Sequence, residues 1–131
     1  NLMKLAKKLN IENKVRFFGK KGHKELAKIY NISNIFVLAN YQEITPAVNE
    51  AMACGKPVVA MECGGKGFVI PNENYGLISK RFDIEDMADK IIILIKNKEL
   101  ARKIANKGKQ HIIKNFGIKN VAEKIYKCLT G

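Results

Sequence analysis

The sequence predicts an α/β domain: a parallel sheet with helices on both faces. Three observations carry this. Two continuous apolar segments, Ile35 to Ala39 and Val58 to Met61, read as strands buried on both faces. One helix with its own start and stop signals lies between them. Strand, helix and strand therefore fit within residues 35 to 61 as a βαβ unit with a parallel pair and a right-handed crossover. After a third short strand candidate, Tyr75 to Ser79, the rest of the chain carries helical periodicity alone.

The elements follow in order. Apolar residues at 2, 5, 6 and 9 give a first helix, which Asn10 and Asn13 interrupt. Val15 to Phe18 is β-branched and aromatic and is closed by Gly19, so it reads as a strand. Leu26, Ala27, Ile29 and Tyr30 return to helical spacing over residues 23 to 32. Thr45 is a good N-cap and Pro46 sits at the first helical position. The helix from 46 to 54 is rich in small residues (Ala47, Ala51, Ala53, Cys54), which lets it lie close to the sheet. Gly55 is its C′ residue and Pro57 forbids continuation. A glycine-bearing loop, 62 to 67, precedes Phe68 to Ile70 and a Pro-Asn-Glu-Asn turn at 71 to 74. Asp83 caps a strong helix whose core stripe is Ile84, Met87, Ala88, Ile91, Ile92, Leu94 and Ile95. A second helix runs from about Leu100 to Lys114. A third, from Ile118, carries the stripe Ile118, Val121, Ala122, Ile125, Tyr126 and Leu129. With no internal repeat or linker, residues 1 to 131 read as one domain.

Composition narrows the function classes. Of 131 residues, 47% are apolar, which excludes wholesale disorder despite a net charge of +12. No apolar run approaches the roughly 20 residues that span a bilayer. Lysines at 4, 7 and 8 interrupt the first apolar residues, so no signal peptide is visible. Cysteines 54, 63 and 128 have neither disulfide-framework nor zinc-site spacing, and a reducing cytosol is the simplest home. The chain starts at Asn1 rather than Met, as a piece of a longer protein would. Only three of the 24 basic residues are arginine (16, 81, 102), and none lies in a run interleaved with aromatics, so no nucleic-acid partner is expected. Charge is uneven: residues 31 to 65 carry one base and three acids, whereas residues 100 to 131 carry eight bases and one acid. That basic tail reads as the wet side of packed helices or as a surface for anionic lipid.

The chemistry is expected at the carboxyl ends of the strands, where loops 40 to 45 and 62 to 67 lie. The first feeds a helix N-terminus, whose free N–H groups and dipole favour anions. The second has three glycines and admits close backbone approach. Together they suggest a phosphate-bearing ligand. The glycine loop is not a GxGxxG and does not open a helix at once, and no Walker A pattern occurs, so dinucleotide binding and P-loop hydrolysis both fit poorly. Glu50, in the second turn of the small-residue helix, is either a partly buried carboxylate that needs ligand hydroxyls as donors or an ordinary exposed helix glutamate. Glu43, just past a strand's carboxyl end, is a functional carboxylate or a solvated one. His23, at a helix start, and His111, on a helix surface, have no carboxylate or serine at a telling spacing and read as structural. Cys54 and Cys63 read as small hydrophobes. Glu62 closes a strand or caps the glycine loop. No Asp-x-Asp occurs, so no metal is implied.

At Glu50 to Ala60, EAMACGKPVVA, the chain resembles the signature of group 1 (family 4) glycosyltransferases, the retaining enzymes of GT-B fold. The likeness continues in order over nearly the whole chain. Asn13 to Gly19 resembles that family's V-x-F-x-G strand, and Leu26 to Tyr30 its next helix. Ile35 to Ala39 resembles its following strand. Gly64-Gly65, Tyr75 to Ile78, Asp83 to Ile95 and Phe116 resemble its later segments. The resemblance implies a Rossmann-like sheet: the C-terminal, nucleotide-sugar-binding lobe, with its first two strands, its phosphate-binding Arg and Lys and the acceptor domain upstream of residue 1. It implies a nucleoside-diphosphate sugar as donor substrate, a glycan or lipid acceptor met through the other domain, and no cofactor. Glu50 matches the glutamate that holds the ribose hydroxyls. A second acidic position, eight residues earlier, touches the transferred sugar; here that position is Gln42, with Glu43 one place later, so either serves. Amides of Ile44 and Thr45 would meet the diphosphate, and Gly19 and Lys20 match the turn near the base. The lobe alone is expected to be catalytically silent, with donor binding weakened. A cytoplasmic home, peripheral at the inner membrane surface, and self-association through an open sheet edge are further expectations. The competing readings are a related nucleotide-sugar epimerase or synthase, and a non-enzymatic basic module for RNA or anionic lipid.

Overall fold

A computed structural model describes residues 1–40, 46–64 and 66–130. Helix α1 (Leu2–Lys8) and a 3₁₀ turn (Glu12–Lys14) lead to α2 (His23–Ile32). Next come β1 (Phe36–Leu38), α3 (Pro46–Ala53), β2 (Val58–Met61), the single-turn α4 (Lys66–Val69) and β3 (Leu77–Ser79). Helices α5 (Ile84–Lys96), α6 (Lys98–Phe116) and α7 (Ile118–Thr130) complete the order.

The three strands form one parallel sheet in the order β1-β2-β3, with Phe36 opposite Val58 and Val59 opposite Leu77. Strand β2 is central, and Val58, Val59 and Ala60 are wholly buried. Its alternating side chains serve two cores. Val58 and Ala60 pack with Tyr30 of α2, Val48, Ala51 and Met52 of α3, and Ile112 of α6. Val59 packs with Leu77, Met87 and Leu94 of α5, and Ile104 of α6. Helices therefore cover both faces, as the apolar runs predicted. Helix α6 contributes to both cores, and its 19 residues extend past both ends of the expected span, 100 to 114.

The small-residue helix stops as its sequence dictates. Gly55 has φ +70°, and its N–H donates to Met52 O at 2.9 Å while Lys56 N–H donates to Ala51 O at 3.0 Å. This is a Schellman closure that needs a residue tolerant of the left-handed region. Lys56 Nζ then donates to Asn31 O at 2.9 Å, tying the end of α2 to the end of α3.

Helix α6 packs on α3 through Gly108. A Cβ there would lie 3.0 Å from Tyr75 O and 3.1 Å from Met52 Cε. In an open helix Gly→Ala gains roughly 1 kcal/mol. Here Gly108→Ala is expected to lose about 1–3 kcal/mol instead, because overpacking outweighs propensity. Urea denaturation of the variant checks the sign.

Several expectations fail. Val15 to Phe18 is not a strand: Val15 is extended (φ −114°, ψ 128°), but the segment meets no ladder partner among the described residues. Phe17 and Phe18 consequently stay exposed. Strand β1 is only partly buried, Phe36 and Leu38 packing on the first core while Val37 remains 40% exposed, because β1 is an edge of the described sheet. The α5 stripe is narrower than its periodicity: Met87, Ile91 and Leu94 face the core, while Ile84, Ile92 and Ile95 are exposed. The α7 stripe is exposed throughout its described side chains, so its 3.6-residue period built an amphipathic helix without supplying a core. Finally, α4 opens at Lys66, directly after the glycine pair, against the expectation that the loop opens no helix at once.

Among the described residues, no helix is long and apolar enough to cross a membrane.

Candidate functional site

Helices α2 and α3 run beside each other on one face of the sheet and leave a groove between them. On α2, His23, Ala27 and Tyr30 share a face through the i, i+4, i+7 spacing. On α3 and the turn that closes it, Glu50, Ala53 and Cys54 do the same at i, i+3 and i+4. These six residues line a cavity of about 260 Å³.

Glu50 is the chemical centre of the groove. Its side chain is 37% exposed, so it is neither a free surface carboxylate nor a buried one. Tyr30, itself buried, donates its hydroxyl to Glu50 Oε2 at 3.0 Å. The other oxygen, Oε1, lies 3.9 Å from His23 Nδ1, whose ring is almost wholly exposed. One oxygen is thus held from within the protein while its twin faces the groove. Burial first, and then the hydrogen bond and charge of Glu50, push the Tyr30 phenol from 10.0 up to about 12. Tyr30 therefore remains a proton donor to Glu50 at any neutral pH. Small side chains at Ala27 and Ala53 leave room for a ring, and the carboxylate offers acceptor capacity to hydroxyls.

The remaining expected site residues divide into two groups. Gly19 stands before α2 with φ +65°, and a Cβ there would meet nothing within 4 Å. Its glycine answers a turn, not a close approach. Lys20 follows, exposed, on the chain leading to the end of α2 that bears His23. Gly64 makes an isolated bridge after β2 and is exposed. Gln42, Glu43, Ile44, Thr45 and Gly65 lie outside the described residues. Glu62 N–H donates to Ser79 O at 2.8 Å, so its backbone closes the β2–β3 pairing. His111 is not a simple surface residue: its ring packs 4.9 Å from Tyr75 and 5.9 Å from Phe116. Cys54 packs against the first core as a small hydrophobe does.

Sequence reasoning missed Tyr30 and His23. Tyr30 was legible only as an apolar stripe position and His23 only as a helix start. They lie 20 and 27 residues before Glu50, and no local spacing pairs residues so far apart.

Comparison with known proteins places the chain. The model of the family described as Glycosyl transferases group 1 matches residues 1–111. N-acetyl-alpha-D-glucosaminyl L-malate synthase of Bacillus anthracis is 31% identical over 116 residues, 88% of this chain and 30% of that protein. Among solved structures, sucrose-phosphate synthase from Thermosynechococcus elongatus superposes with a TM-score of 0.89 at 28% identity, covering 98% of this chain and 32% of that one. A TarM variant of S. aureus, solved with fondaparinux, alpha-GlcNAc-glycerol and UDP, superposes with a TM-score of 0.85 at 25% identity, covering 99% of this chain and 26% of that one. The chain spans about 30% of the length of these proteins. Its sheet, its helix order and the signature on α3 agree with that match, and the chain belongs to the group 1 glycosyl transferases.

Proposed function

We propose that this chain is the donor-binding lobe of a glycosyltransferase that moves a sugar, with retention, from a nucleoside diphosphate to a glycan or lipid acceptor. The observation that carries the reading is Glu50: a half-buried carboxylate with one oxygen held by Tyr30 and the other facing a groove. A ribose offers adjacent hydroxyl donors to such an oxygen. In this reading Glu50 anchors the ribose. Gln42 or Glu43 contacts the transferred sugar, the amides of Ile44 and Thr45 meet the diphosphate, and Gly19 and Lys20 flank the base. Gly64 and Gly65 allow the second loop to approach the donor. UDP in the related TarM structure supports a nucleotide donor. The single domain would be completed by strands and an acceptor domain elsewhere in a longer chain. It would work in the cytoplasm, at the inner membrane surface when its acceptor is a lipid. No cofactor beyond the donor substrate enters this reading.

Titration of UDP and GDP into the isotope-labelled chain tests it. Saturable NMR shifts are expected at His23, Glu50 and Cys54, with one nucleotide preferred. A well-dispersed spectrum that neither nucleotide moves, in this chain and in a longer chain carrying the upstream strands, would sink the donor reading.

Cys54 supplies an independent check, since it lines the same cavity and is partly accessible. Saturating nucleotide is expected to slow its alkylation by iodoacetamide about tenfold, a factor equal to about 1.4 kcal/mol. Exposed Cys128, read by peptide mass spectrometry in the same sample, should react unchanged.

A further inference from the structure

We propose that Tyr30 is a positioning residue for the donor: its buried hydroxyl holds one oxygen of Glu50, so that the other is presented to the groove. This rests on the reading that Glu50 anchors the ribose. A glutamate on a helix has three side-chain torsions and, unrestrained, spreads its carboxylate over many orientations. Here the restraint comes from inside. Tyr30 is 8% exposed, and its ring meets Phe36 of β1 edge-on at 5.9 Å. That contact ties the phenol to the sheet, and the 3.0 Å hydrogen bond carries the constraint to Glu50 Oε2. The only other polar group near the carboxylate among the described contacts is His23, too exposed and too distant at 3.9 Å to fix a rotamer. The helices that bear the pair are themselves fastened, Lys56 binding the last turn of α2. Because the phenol is held at about 12, it donates and never competes as a phenolate at working pH.

The test is a double-mutant cycle on the affinity for UDP, or for GDP where that is the nucleotide bound, read by NMR titration of the wild-type chain, Tyr30→Phe, Glu50→Gln and the double variant. Phenylalanine keeps the ring and its contact with Phe36, removing only the donor. Tyr30→Phe is expected to weaken that nucleotide about fivefold, the worth of one ordinary hydrogen bond. The double variant should bind no more weakly than Glu50→Gln alone, since Tyr30 acts through Glu50. If the wild type binds neither UDP nor GDP even in a longer chain carrying the upstream strands, or Glu50→Gln binds the preferred one as tightly as the wild type, the ribose reading fails and this inference falls with it. If Glu50→Gln weakens binding but Tyr30→Phe does not, or the two losses multiply, the ribose reading stands and the positioning role is overturned. A second measurement leaves Tyr30 in place. Followed by its ring ¹³Cζ resonance, Tyr30 should begin to ionise at lower pH in Glu50→Gln than in the wild type, while burial and Cys54 stay unchanged. An unaltered ionisation would show that the two side chains are not coupled and would also overturn the proposal.

Discussion

Replacing Glu50 with glutamine is expected to weaken binding of the preferred nucleotide, UDP or GDP, ten- to a hundredfold and to leave the fold intact. Glutamine has the shape of glutamate, so the cavity between α2 and α3 keeps its walls. Two things change. The charge disappears, and one acceptor oxygen becomes an NH₂ donor. The amide oxygen will take the Tyr30 hydroxyl, because Tyr30 has a proton to give and no reason to lose it. The NH₂ group is then turned toward the groove, where ribose hydroxyls would meet a donor instead of a carboxylate. Hydrogen bonds to a charged acceptor contribute about 1.5–3 kcal/mol each, which is where the expected factor comes from. Stability should change little, because a side chain 37% exposed keeps part of its hydration in either form. NMR titration gives the affinity and a thermal melt gives the stability. An affinity equal to wild type would return Glu50 to an ordinary helix glutamate near a helix N-terminus.

The largest stability effect is expected at Met52, two residues further along α3. Met52→Ala should cost about 3 kcal/mol, within the range for a fully buried methionine truncated to alanine. Met52 is wholly buried, and its Cε lies against Gly108 of α6 at close range. The facing position on α6 is a glycine with no side chain to move into the space, and β2 is fixed by pairing on both edges. A domain of this size has only about 5–15 kcal/mol to lose. The melting temperature should therefore fall by about 10 °C. A loss below about 1 kcal/mol, measured by urea denaturation, would mean that α3 can settle onto α6 without its largest core side chain. Met52→Ala should also weaken nucleotide binding, since Glu50 rides on the helix that loosens.

Some of this molecule could be read directly. Pro46, the run of alanines, Gly55 and Pro57 are local signals, and α3 ends within a residue of where they place it. Asp83 caps α5 as expected, accepting from Asp86 N–H at 2.9 Å. Val58 to Met61 is continuous and apolar because both of its faces are covered. Other signals were ambiguous in a physical sense. Val15 to Phe18 has the composition of a strand, but a strand is a property of two segments, and the described residues give this one no partner. Apolar period in α5 and α7 reports an amphipathic helix, not what lies against it, so exposed Ile84 and Leu129 carry the same signal as buried Leu94.

The candidate site divides the same way. Sequence alone determined the α/β class, the positions of the helices other than α4, and that Glu50 sits on a helix between two strands. Those follow from torsional preferences and from burial, which act over a few residues and leave a period in the chain. Only the tertiary structure decided that Tyr30 donates to Glu50, that His23 stands on the far side of the same carboxylate, and that Gly108 makes room for Met52. Such contacts join residues brought together by the packing of helices on a sheet. A hydrogen bond acts over about 3 Å of space whatever the separation along the chain, so it leaves no period in the sequence to be read.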